Sequence, residues 1–395
     1  MPTATVQRRA GTSDDAVGGV VPAEVVRPSS IEDVAAVLRE AAGAGRTVVP
    51  AGGRTKLGWA APPSSCDLLL DTTGLDRVVE HVAGDLVVIA EAGVRLADLQ
   101  ASVGGAGQLL GLDPTETGAT LGGVVSANAS GPRRLRYGTV RDLLIGVTVV
   151  LADGTVAKAG GKVVKNVAGY DLGKLYTGAH GTLGVVVSTT WRLHPVPPAR
   201  SVVVLDLPDA ADAGPLAITV FRSTLTPSAV ELFATAGGQG QLVVVFESIA
   251  ESVTAQAEAA VALLGGGTVT EELPAAFGRR PGTPDQVHLR LAHLPTGLPA
   301  VLAALPPGSA VAASAATGVT YAAIDAAGAP TALPALREAL VPHDGTAVLL
   351  HAPQDVRPAL DHWGPVGNAL PLMRRVKERF DPEHRMSPGR FVGGI

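Results

Sequence analysis

Three clusters of glycine, each flanked by strand-like sequence, limit what this chain can fold into more than any other feature. They lie at 52–53 with Gly58, at 118–131 and at 178–184. Glycine weakens helices and strands, because it loses more conformational freedom on folding than other residues do. Backbone without side chains can, however, approach a ligand closely, and consecutive N–H groups form concave anion sites. Together the loops predict a site for a long ligand with a pyrophosphate and two ring systems, which is typical of a large nucleotide cofactor.

Ordinary turns are the alternative explanation, and any single glycine is more often a turn than a ligand contact. The chain holds 48 glycines and 30 prolines among 395 residues, so only clustered glycines carry information. Two common nucleotide-binding patterns do not fit the first cluster. AGGRTKLG (51–58) lacks the spacing G-x-x-x-x-G-K-[ST] of a phosphate loop, and the adjacent Gly52 and Gly53 do not match G-x-G-x-x-G.

Composition excludes several classes of protein. With 46% hydrophobic and 17% charged residues and a formal net charge of -5, the chain is globular and is not predicted to bind nucleic acid. Cys66 is the only cysteine, which rules out an intrachain disulfide and a cluster of thiolate ligands. The longest apolar runs, such as LLIGVTVVLA (143–152), are about half as long as a membrane span. We therefore expect a cytoplasmic protein without direct membrane insertion, for which any contact with a membrane would be made through a partner.

The spacing of apolar residues predicts a first β-α-β unit, in which a glycine loop follows the second strand. Residues 1–23 are expected to form a loose tail. Ser29 and Glu32 fit a capping box, and apolar residues at i, i+3, i+4 and i+7 from Ile31 form one helical face. A short strand at 47–50 then leads into AGGRTKLG.

The rest of the chain alternates strands, turns and helices. LLLDTTGL (68–75) and LVVIAEAGVRLADLQ (86–100) predict a strand, a turn and a short helix, and 104–132 consists almost entirely of turn-formers. DLLIGVTVVLADGTV (142–156) predicts a hairpin around an Asp-Gly turn, and LGVVVSTTWRLHPV (183–196) predicts a strand. We expect a domain boundary at 195–200, an α+β domain over 201–350, and an amphipathic helix over 365–380.

Four ordered motifs resemble the FAD-binding domain of the vanillyl-alcohol oxidase/PCMH flavoproteins. They are PAGGRTKLG (50–58), DPTETGATLGGVVSANASG (113–131), RYGTVRDLL (136–144) and GAHGTLGVVV (178–187). The closing FDPEHRMSPGRF is similar to the superfamily's F-D-P-x-x-x-x-N-P-G-[KR], with Ser387 in place of asparagine. Within the superfamily, KNVAGYDLGKLYTGAHGTLG (165–184), SAVELF (228–233) and LVVVFES (242–248) most resemble the bacterial glycolate oxidase FAD-binding subunit, the E subunit.

This resemblance implies an α+β fold and a division of the chain. The expected parts are a PCMH-type FAD-binding domain of two α+β subdomains at 24–197, a C-terminal α+β cap domain at 198–362, and a segment at 363–395 that returns to the flavin domain. The same resemblance implies which residues contact FAD. They are Pro50, Ala51, Gly52, Gly53, Arg54, Thr55, Lys56, Asp113, Thr120, Gly122, Gly123, Ser126, Ala127, Asn128, Ala129, Gly131, Gly181, Thr182, Leu183, Gly184, Val185 and Val186.

Several of these assignments have ordinary alternatives. Arg54 and Lys56 would add charge beside the FAD pyrophosphate, or they are solvated surface charges. Asn128 would recognise the flavin edge, or it is an asparagine in a turn. Gly169-Tyr170-Asp171 would bring a turn close to the cofactor, or Tyr170 is a core aromatic. Relatives with covalent flavin often use a histidine in the first glycine loop or a later cysteine, and neither occurs at those positions. The resemblance therefore implies noncovalent FAD.

The implied function is oxidation of a small 2-hydroxy acid. Catalytic relatives carry G-H-x-G-D-G-N-x-H and E-H-G elements that bind a divalent metal, and neither element occurs here, so no metal site and no catalytic residue are assigned. We expect a subunit of a glycolate oxidase complex, with a sister FAD subunit and an iron–sulfur subunit as partners. A self-sufficient FAD oxidoreductase of another hydroxy acid or alcohol, with Arg222 or Arg290 binding the carboxylate, and a non-catalytic scaffold stabilised by flavin remain as alternatives.

Overall fold

The computed structural model describes residues 6–162 and 171–395, so the predicted turn at Tyr170 lies outside the described residues. In chain order the strands are β1 (Gln7–Ala10), β2 (Glu24–Arg27), β3 (Val48–Ala51), β4 (Leu68–Asp71), β5 (Val78–Val82), β6 (Val87–Glu91), β7 (Gln108–Leu109), β8 (Leu144–Val150), β9 (Val156–Gly160), β10 (Val185–Arg192), β11 (His194–Pro195), β12 (Ala199–Leu207), β13 (Ala229–Thr235), β14 (Gly240–Ser248), β15 (Thr268–Thr270), β16 (Val287–Ala292), β17 (Ala310–Ser314), β18 (Val319–Ile324) and β19 (Thr346–His351). The α-helices are α1 (Ile31–Gly43), α2 (Leu96–Gly104), α3 (Leu121–Ala127), α4 (Arg134–Tyr137), α5 (Val140–Leu143), α6 (Leu172–Tyr176), α7 (Ala213–Arg222), α8 (Ala250–Leu264), α9 (Leu298–Ala304), α10 (Ala329–Leu340) and α11 (Leu370–Phe380).

The chain forms two compact α+β units, which confirms the predicted fold class. The first unit contains Met1–Ser130, Thr139–Val196 and Pro365–Ile395, and the second contains Gly131–Gly138 and Pro197–Gly364. Residues 131–138, including Gly131, were expected in the first domain but group with the second unit.

Two sheets and α1 build the core of the first unit. A four-stranded sheet has the order β1-β2-β4-β3, with β2 and β3 parallel to β4. A five-stranded antiparallel sheet has the order β5-β6-β10-β8-β9, so β10 is its central strand. The apolar face of α1, with Val34 and Leu38, packs in one cluster with strand residues such as Val48, Leu70 and Val187. This core fixes the end of β3 and the start of β10, from which two of the glycine loops extend.

Three local predictions for this unit need correction. The N-cap of α1 is Ser30, whose hydroxyl accepts a hydrogen bond from Asp33 N at 3.0 Å, so the capping residue lies one position later than predicted. Residues 7–10 are not a loose tail, because β1 pairs antiparallel with β2. The turn-rich stretch at 104–132 contains the helix α3, which the sequence did not predict because its two glycines and two valines have low helix propensity. The hairpin predicted at 142–156 is present as β8 and β9.

The second unit is an eight-stranded antiparallel sheet with helices packed on one face. Its strand order is β15-β12-β14-β13-β17-β18-β16-β19. Because side chains alternate along each strand, one face carries Leu232, Val244 and Leu289 into a large core with residues of α7, α8, α9 and α10. The opposite face carries a smaller apolar cluster with Val202 and Val243.

Candidate cofactor-binding site

A cleft in the first unit brings the three glycine-rich segments together. It contains about 690 Å³ of space between its walls, part of which is open to solvent. Its walls come from the loop after β3, from α3 and from the segment that enters β10. The lining residues are Pro50, Ala51, Gly52, Gly53, Arg54, Thr55, Lys56, Leu57, Thr72, Thr120, Gly122, Gly123, Ser126, Ala127, His180, Gly181, Gly184, Val185, Val186 and Arg390.

The loop after β3 presents backbone donors that the chain itself does not use. The amides of Gly52, Arg54 and Thr55 donate no hydrogen bond to any residue in the described part of the chain. The amide of Gly53 reaches Thr120 Oγ1 only at 3.4 Å. Backbone N–H groups that are buried or half-buried need an acceptor, so these amides are suited to a phosphate oxygen of a bound ligand.

Close packing between loops explains why this loop needs glycine. A Cβ atom at Gly52 would lie 2.1 Å from Thr120 Oγ1, and one at Gly53 would lie 2.1 Å from the Gly118 carbonyl oxygen. Both distances are far below van der Waals contact. The two glycines therefore let the first and second loops touch, and this packing holds the free amides in place.

The second wall is α3, a short helix that approaches β6 through glycine. A Cβ at Gly122 would lie 2.8 Å from Ala92 Cβ, whereas one at Gly123 would meet a single described heavy atom within 4 Å, Thr120 Oγ1 at 3.2 Å. Gly122 is thus required for packing, whereas a Cβ at Gly123 would require only a small shift of the Thr120 side chain. The helix ends at Asn128, which adopts a left-handed conformation with φ +48°. Asparagine tolerates that conformation better than most residues, which favours its ordinary role as a helix cap.

The third wall depends on a buried lysine from the C-terminal helix. Lys377 Nζ donates to the Thr182 carbonyl at 2.8 Å, to the Met386 carbonyl at 2.8 Å and to Asp381 Oδ2 at 2.7 Å. Its side chain is only 1% exposed. Burial lowers the pKa of Lys377, and the charge of Asp381 partly offsets that effect. We call Lys377, Asp381, Thr182 and Met386 the C-terminal clamp, because they tie α11 and the closing segment to the loop that enters β10.

Two of the cations that line the cleft, Arg54 and Lys56, each have a carboxylate partner. Arg54 Nη1 lies 2.8 Å from Asp15 Oδ1, and Arg54 Nη2 lies 3.8 Å from Asp71 Oδ2. Lys56 Nζ lies 3.2 Å from Glu116 Oε2, and Lys56 is only 8% exposed. Lys56 is therefore not a solvated surface charge. Both side chains are held beside the loop amides, where a cation can add to anion binding.

Most of the residues predicted to contact the cofactor lie in this cleft, and a few do not. Asp113, Asn128, Ala129, Gly131, Thr182 and Leu183 are not among the lining residues. Thr182 and Leu183 are buried, and Thr182 acts through the C-terminal clamp. Sequence reasoning did not assign Leu57, Thr72 or Arg390 to the site, although all three line it. Arg390 Nη2 donates to the Leu57 carbonyl at 2.8 Å, a contact between residues 333 positions apart that no local pattern shows.

Cys66 and His180 differ in their position relative to the cleft. Cys66 does not line the cleft, and burial raises the pKa of its thiol to about 11. His180 does line it, with φ +51° and its ring centroid 6.0 Å from that of Phe391. Noncovalent FAD remains a prediction, and His180 is the residue to examine if a covalent link is found.

Comparison with known proteins shows which family the residues around the cleft match. Residues 22–160 match the family described as "FAD binding domain". The chain contains an FAD-binding domain. The resemblance to the PCMH-type flavoproteins is thereby confirmed, and FAD is the cofactor. The cleft fits FAD, because its unpaired amides and the cations Arg54 and Lys56 suit a diphosphate.

About half of the chain is similar in sequence to dehydrogenases and to an oxidase subunit. A D-lactate dehydrogenase of Archaeoglobus fulgidus is 34% identical over 244 residues, which is 58% of this chain and 55% of the relative. A D-2-hydroxyglutarate dehydrogenase of Xanthomonas citri pv. viticola is 34% identical over 213 residues, 54% of this chain and 45% of the relative. The glycolate oxidase subunit GlcD of Bacillus subtilis is 30% identical over 213 residues, 53% of this chain and 45% of the relative. The chain thus spans about half the length of these relatives.

Solved structures share the fold over most of the chain. An alkyldihydroxyacetonephosphate synthase superposes with a TM-score of 0.71 at 16% identity, over 93% of this chain and 76% of that protein. The protein FgChi7B superposes with a TM-score of 0.69 at 13% identity, over 94% of this chain and 92% of that protein. At these identities the likeness concerns the fold alone.

No group of three or more His, Cys, Asp or Glu side chains within 6–162 and 171–395 is placed to hold a metal ion. No helix in the same ranges combines the length and hydropathy needed to cross a membrane.

Proposed function

We propose that this chain is the FAD-binding subunit of a glycolate oxidase complex, in which glycolate is oxidised to glyoxylate and electrons pass through flavin to an iron–sulfur partner. The single observation that carries the proposal is the cleft of unpaired amides inside an FAD-binding domain. Relatives named for D-lactate, D-2-hydroxyglutarate and glycolate support a small 2-hydroxy acid as the substrate class. A sister FAD subunit, an iron–sulfur subunit and a cytoplasmic location complete the proposal.

The chain's own residues would act by binding and orienting the cofactor. FAD supplies the acceptor for the hydride of a 2-hydroxy acid and passes electrons onward. The amides of Gly52, Arg54 and Thr55 would donate to its diphosphate, and Lys56 would add charge. Val185 is buried in the third wall and would keep water from one side of the cleft.

A self-sufficient FAD oxidoreductase is the second candidate, and one observation favours it. Arg290 in the second unit makes no ion pair with any described residue, so it is available for a substrate carboxylate. Arg222, the other sequence candidate, lies at the exposed end of α7.

Anaerobic reduction distinguishes these functions. The purified chain, loaded with FAD, is mixed with glycolate and with D-lactate without oxygen, and the flavin absorbance is followed. For the complex we expect no bleaching by the chain alone and bleaching after the sister subunit is added. Bleaching by the chain alone would support the self-sufficient enzyme. Flavin that stays oxidised in the full assembly would contradict both catalytic functions and would support the non-catalytic scaffold.

A charge placed in the cleft tests the site itself. The Cβ of Gly123→Asp would meet only the side-chain atom Thr120 Oγ1, at 3.2 Å, which a small shift of that side chain relieves. Its carboxylate would repel the FAD diphosphate by about 1–4 kcal/mol per charge pair at 4 Å. We expect a roughly tenfold or larger loss of FAD affinity in a folded protein. Gly84→Asp is the matched control, because Gly84 is exposed, has open space and does not line the cleft. Equal flavin content in both variants would contradict the site.

A further inference from the structure

A buried carboxylate from the segment before β2 contacts the first loop of the cleft. Asp15 is 2% exposed, and its Oδ1 accepts a hydrogen bond from Arg54 Nη1 at 2.8 Å. Arg54 lines the cleft and has a φ of +58°. Asp15 lies before residue 22, where the match to the FAD-binding family begins. Neither the sequence motifs nor that match therefore assigns Asp15 to the cofactor site.

Several contacts fix the position of Asp15 relative to β3. Arg9 Nη1 and Nη2 donate to its two carboxylate oxygens at 2.6 Å each. The amide and the hydroxyl of Thr12 donate to Asp15 Oδ2 at 3.0 Å each. Slightly further along the chain, Val17 is fully buried in one cluster with Val49 of β3. Asp15 thus keeps a fixed position relative to the strand from which the first loop extends.

The conformation of Arg54 needs such support. Its φ lies in the left-handed region, which is unfavourable for a residue with a Cβ atom. The amides of Gly52, Arg54 and Thr55 donate to no other part of the described chain, so they do not hold the turn themselves. Asp71 Oδ2 lies 3.8 Å from Arg54 Nη2, which is too long for a hydrogen bond. Among the described residues, Asp15 is therefore the partner that fixes the Arg54 side chain.

We propose that Asp15 is a positioning residue of the FAD site, which acts through Arg54 to hold the amides of the first loop in the conformation that binds the diphosphate. The inference rests on the proposed function and deepens it by adding the segment before β2 to the FAD site. The effect is opposite in sign to that of charge alone, because a carboxylate close to an anion-binding site repels the anion. If Asp15 only neutralised Arg54, loss of its charge would tighten FAD binding, whereas loss of a positioning contact would weaken it.

Titration of the flavin-free full chain with FAD separates the two effects. We expect Asp15→Asn to weaken FAD binding about tenfold or more, because the loop would spend most of its time in conformations that bind the diphosphate poorly. Asp14→Asn is the matched control, since it removes the same charge from the exposed neighbouring residue, and its FAD affinity should equal that of the wild type. Circular dichroism verifies that each variant is folded at the temperature of the titration. An FAD affinity that is unchanged or higher in Asp15→Asn would overturn the proposal.

Two substitutions of Arg54 test the backbone conformation directly. Arg54→Gly and Arg54→Ala remove the same charge and the same ion pair, but only glycine adopts a positive φ without strain. We expect Arg54→Gly to bind FAD about fivefold or more tightly than Arg54→Ala does. Equal affinities would overturn the proposal, because they would show that the conformation at this position does not matter for binding.

A double-mutant cycle tests whether Asp15 acts through Arg54. In the Arg54→Gly background, Asp15→Asn should change the FAD affinity less than about twofold, because glycine does not need the contact. A loss as large as in the wild-type background would show that Asp15 acts only on overall stability, and it would overturn the proposal. Failure of the wild-type chain to bind FAD would instead contradict the FAD site itself, so the two failures are distinguishable.

Discussion

Arg54 holds the first loop of the cleft in a conformation that arginine rarely adopts. Its φ is +58°, in the left-handed region that favours glycine. The ion pair with Asp15 fixes its side chain, and Asp15 is only 2% exposed. Asp15 also accepts two hydrogen bonds of 2.6 Å from Arg9. The residues before β2, which the sequence alone suggested were loose, thus support the cleft.

Asp15 should make stability depend on pH. The hydrogen bonds of Arg9, followed by those of Arg54, hold the pKa of Asp15 well below its usual range, although burial acts to raise it. A carboxyl with a lowered folded-state pKa stabilises above its unfolded pKa of about 3.9, and that stability is lost as pH falls toward the folded value. We expect Asp15→Asn to reduce the free energy of unfolding by about 1–2 kcal/mol at pH 7, with the difference shrinking below about pH 4.

Urea denaturation at pH 7, 5 and 3 measures this effect. Asp14→Asn is the matched control, because Asp14 is the exposed neighbour of the buried Asp15. The role of the ion pairs would be contradicted if Asp15→Asn reduced the free energy of unfolding equally at all three pH values. Equal reductions for Asp15→Asn and Asp14→Asn would contradict it as well.

Single elements were predictable where local patterns determine them. The apolar period of α1, the Asp-Gly turn between β8 and β9, and the alternation of the strands all identify their elements correctly. The helix α3 was missed, because LGGVVSA combines poor helix formers and is stabilised by packing of Gly122 against Ala92. The helix α11 was predicted, but the burial of its Lys377 was not, since its partner Thr182 lies 195 positions away in the sequence and comes close only after folding.

The C-terminal clamp should contribute more to the free energy of unfolding than a surface ion pair does. Lys377→Met leaves Asp381 as an uncompensated buried carboxylate and frees the Thr182 carbonyl. Loss of one partner of a buried pair typically costs about 3–5 kcal/mol. We expect Lys377→Met to reduce the free energy of unfolding by an amount near the lower end of this range, because Asp381 still accepts hydrogen bonds from the amides of Arg385 and Met386. We also expect weaker FAD binding, since Thr182 follows the cleft residue Gly181.

Lys174→Met provides the comparison for this clamp. Lys174 pairs with Asp171 at 3.3 Å, but the two side chains are 52% and 55% exposed, so its removal should cost less than about 1 kcal/mol. Urea denaturation and flavin content are measured for both variants. Similar losses of stability would show that the clamp is no stronger than an exposed pair.

At the scale of the whole molecule, the FAD-binding domain is not one continuous stretch of chain. The family match ends at residue 160, at the end of β9. The central strand β10 lies at Val185–Arg192, and the first unit also needs Pro365–Ile395. Met386 is fully buried in the same core as Val48 and Val187. The motifs alone could indicate the cofactor, whereas the contribution of the C-terminal segment to the core depends on contacts over more than 300 positions.

A fragment of residues 22–160 should therefore fail to fold, although it carries the whole family match. It lacks β10, which pairs with both β6 and β8, so two strands would lose a neighbour and expose unpaired backbone. Residues 1–364 keep β10 but lose the clamp, Arg390 and Met386, so we expect a destabilised protein with little bound FAD. Circular dichroism and FAD titration measure both fragments against the full chain, and residues 365–395 added as a separate peptide should restore part of the FAD binding to 1–364. Full FAD occupancy in the fragment 22–160 would show that the C-terminal segment and β10 are dispensable, because the cleft would then be formed by the first two glycine loops alone.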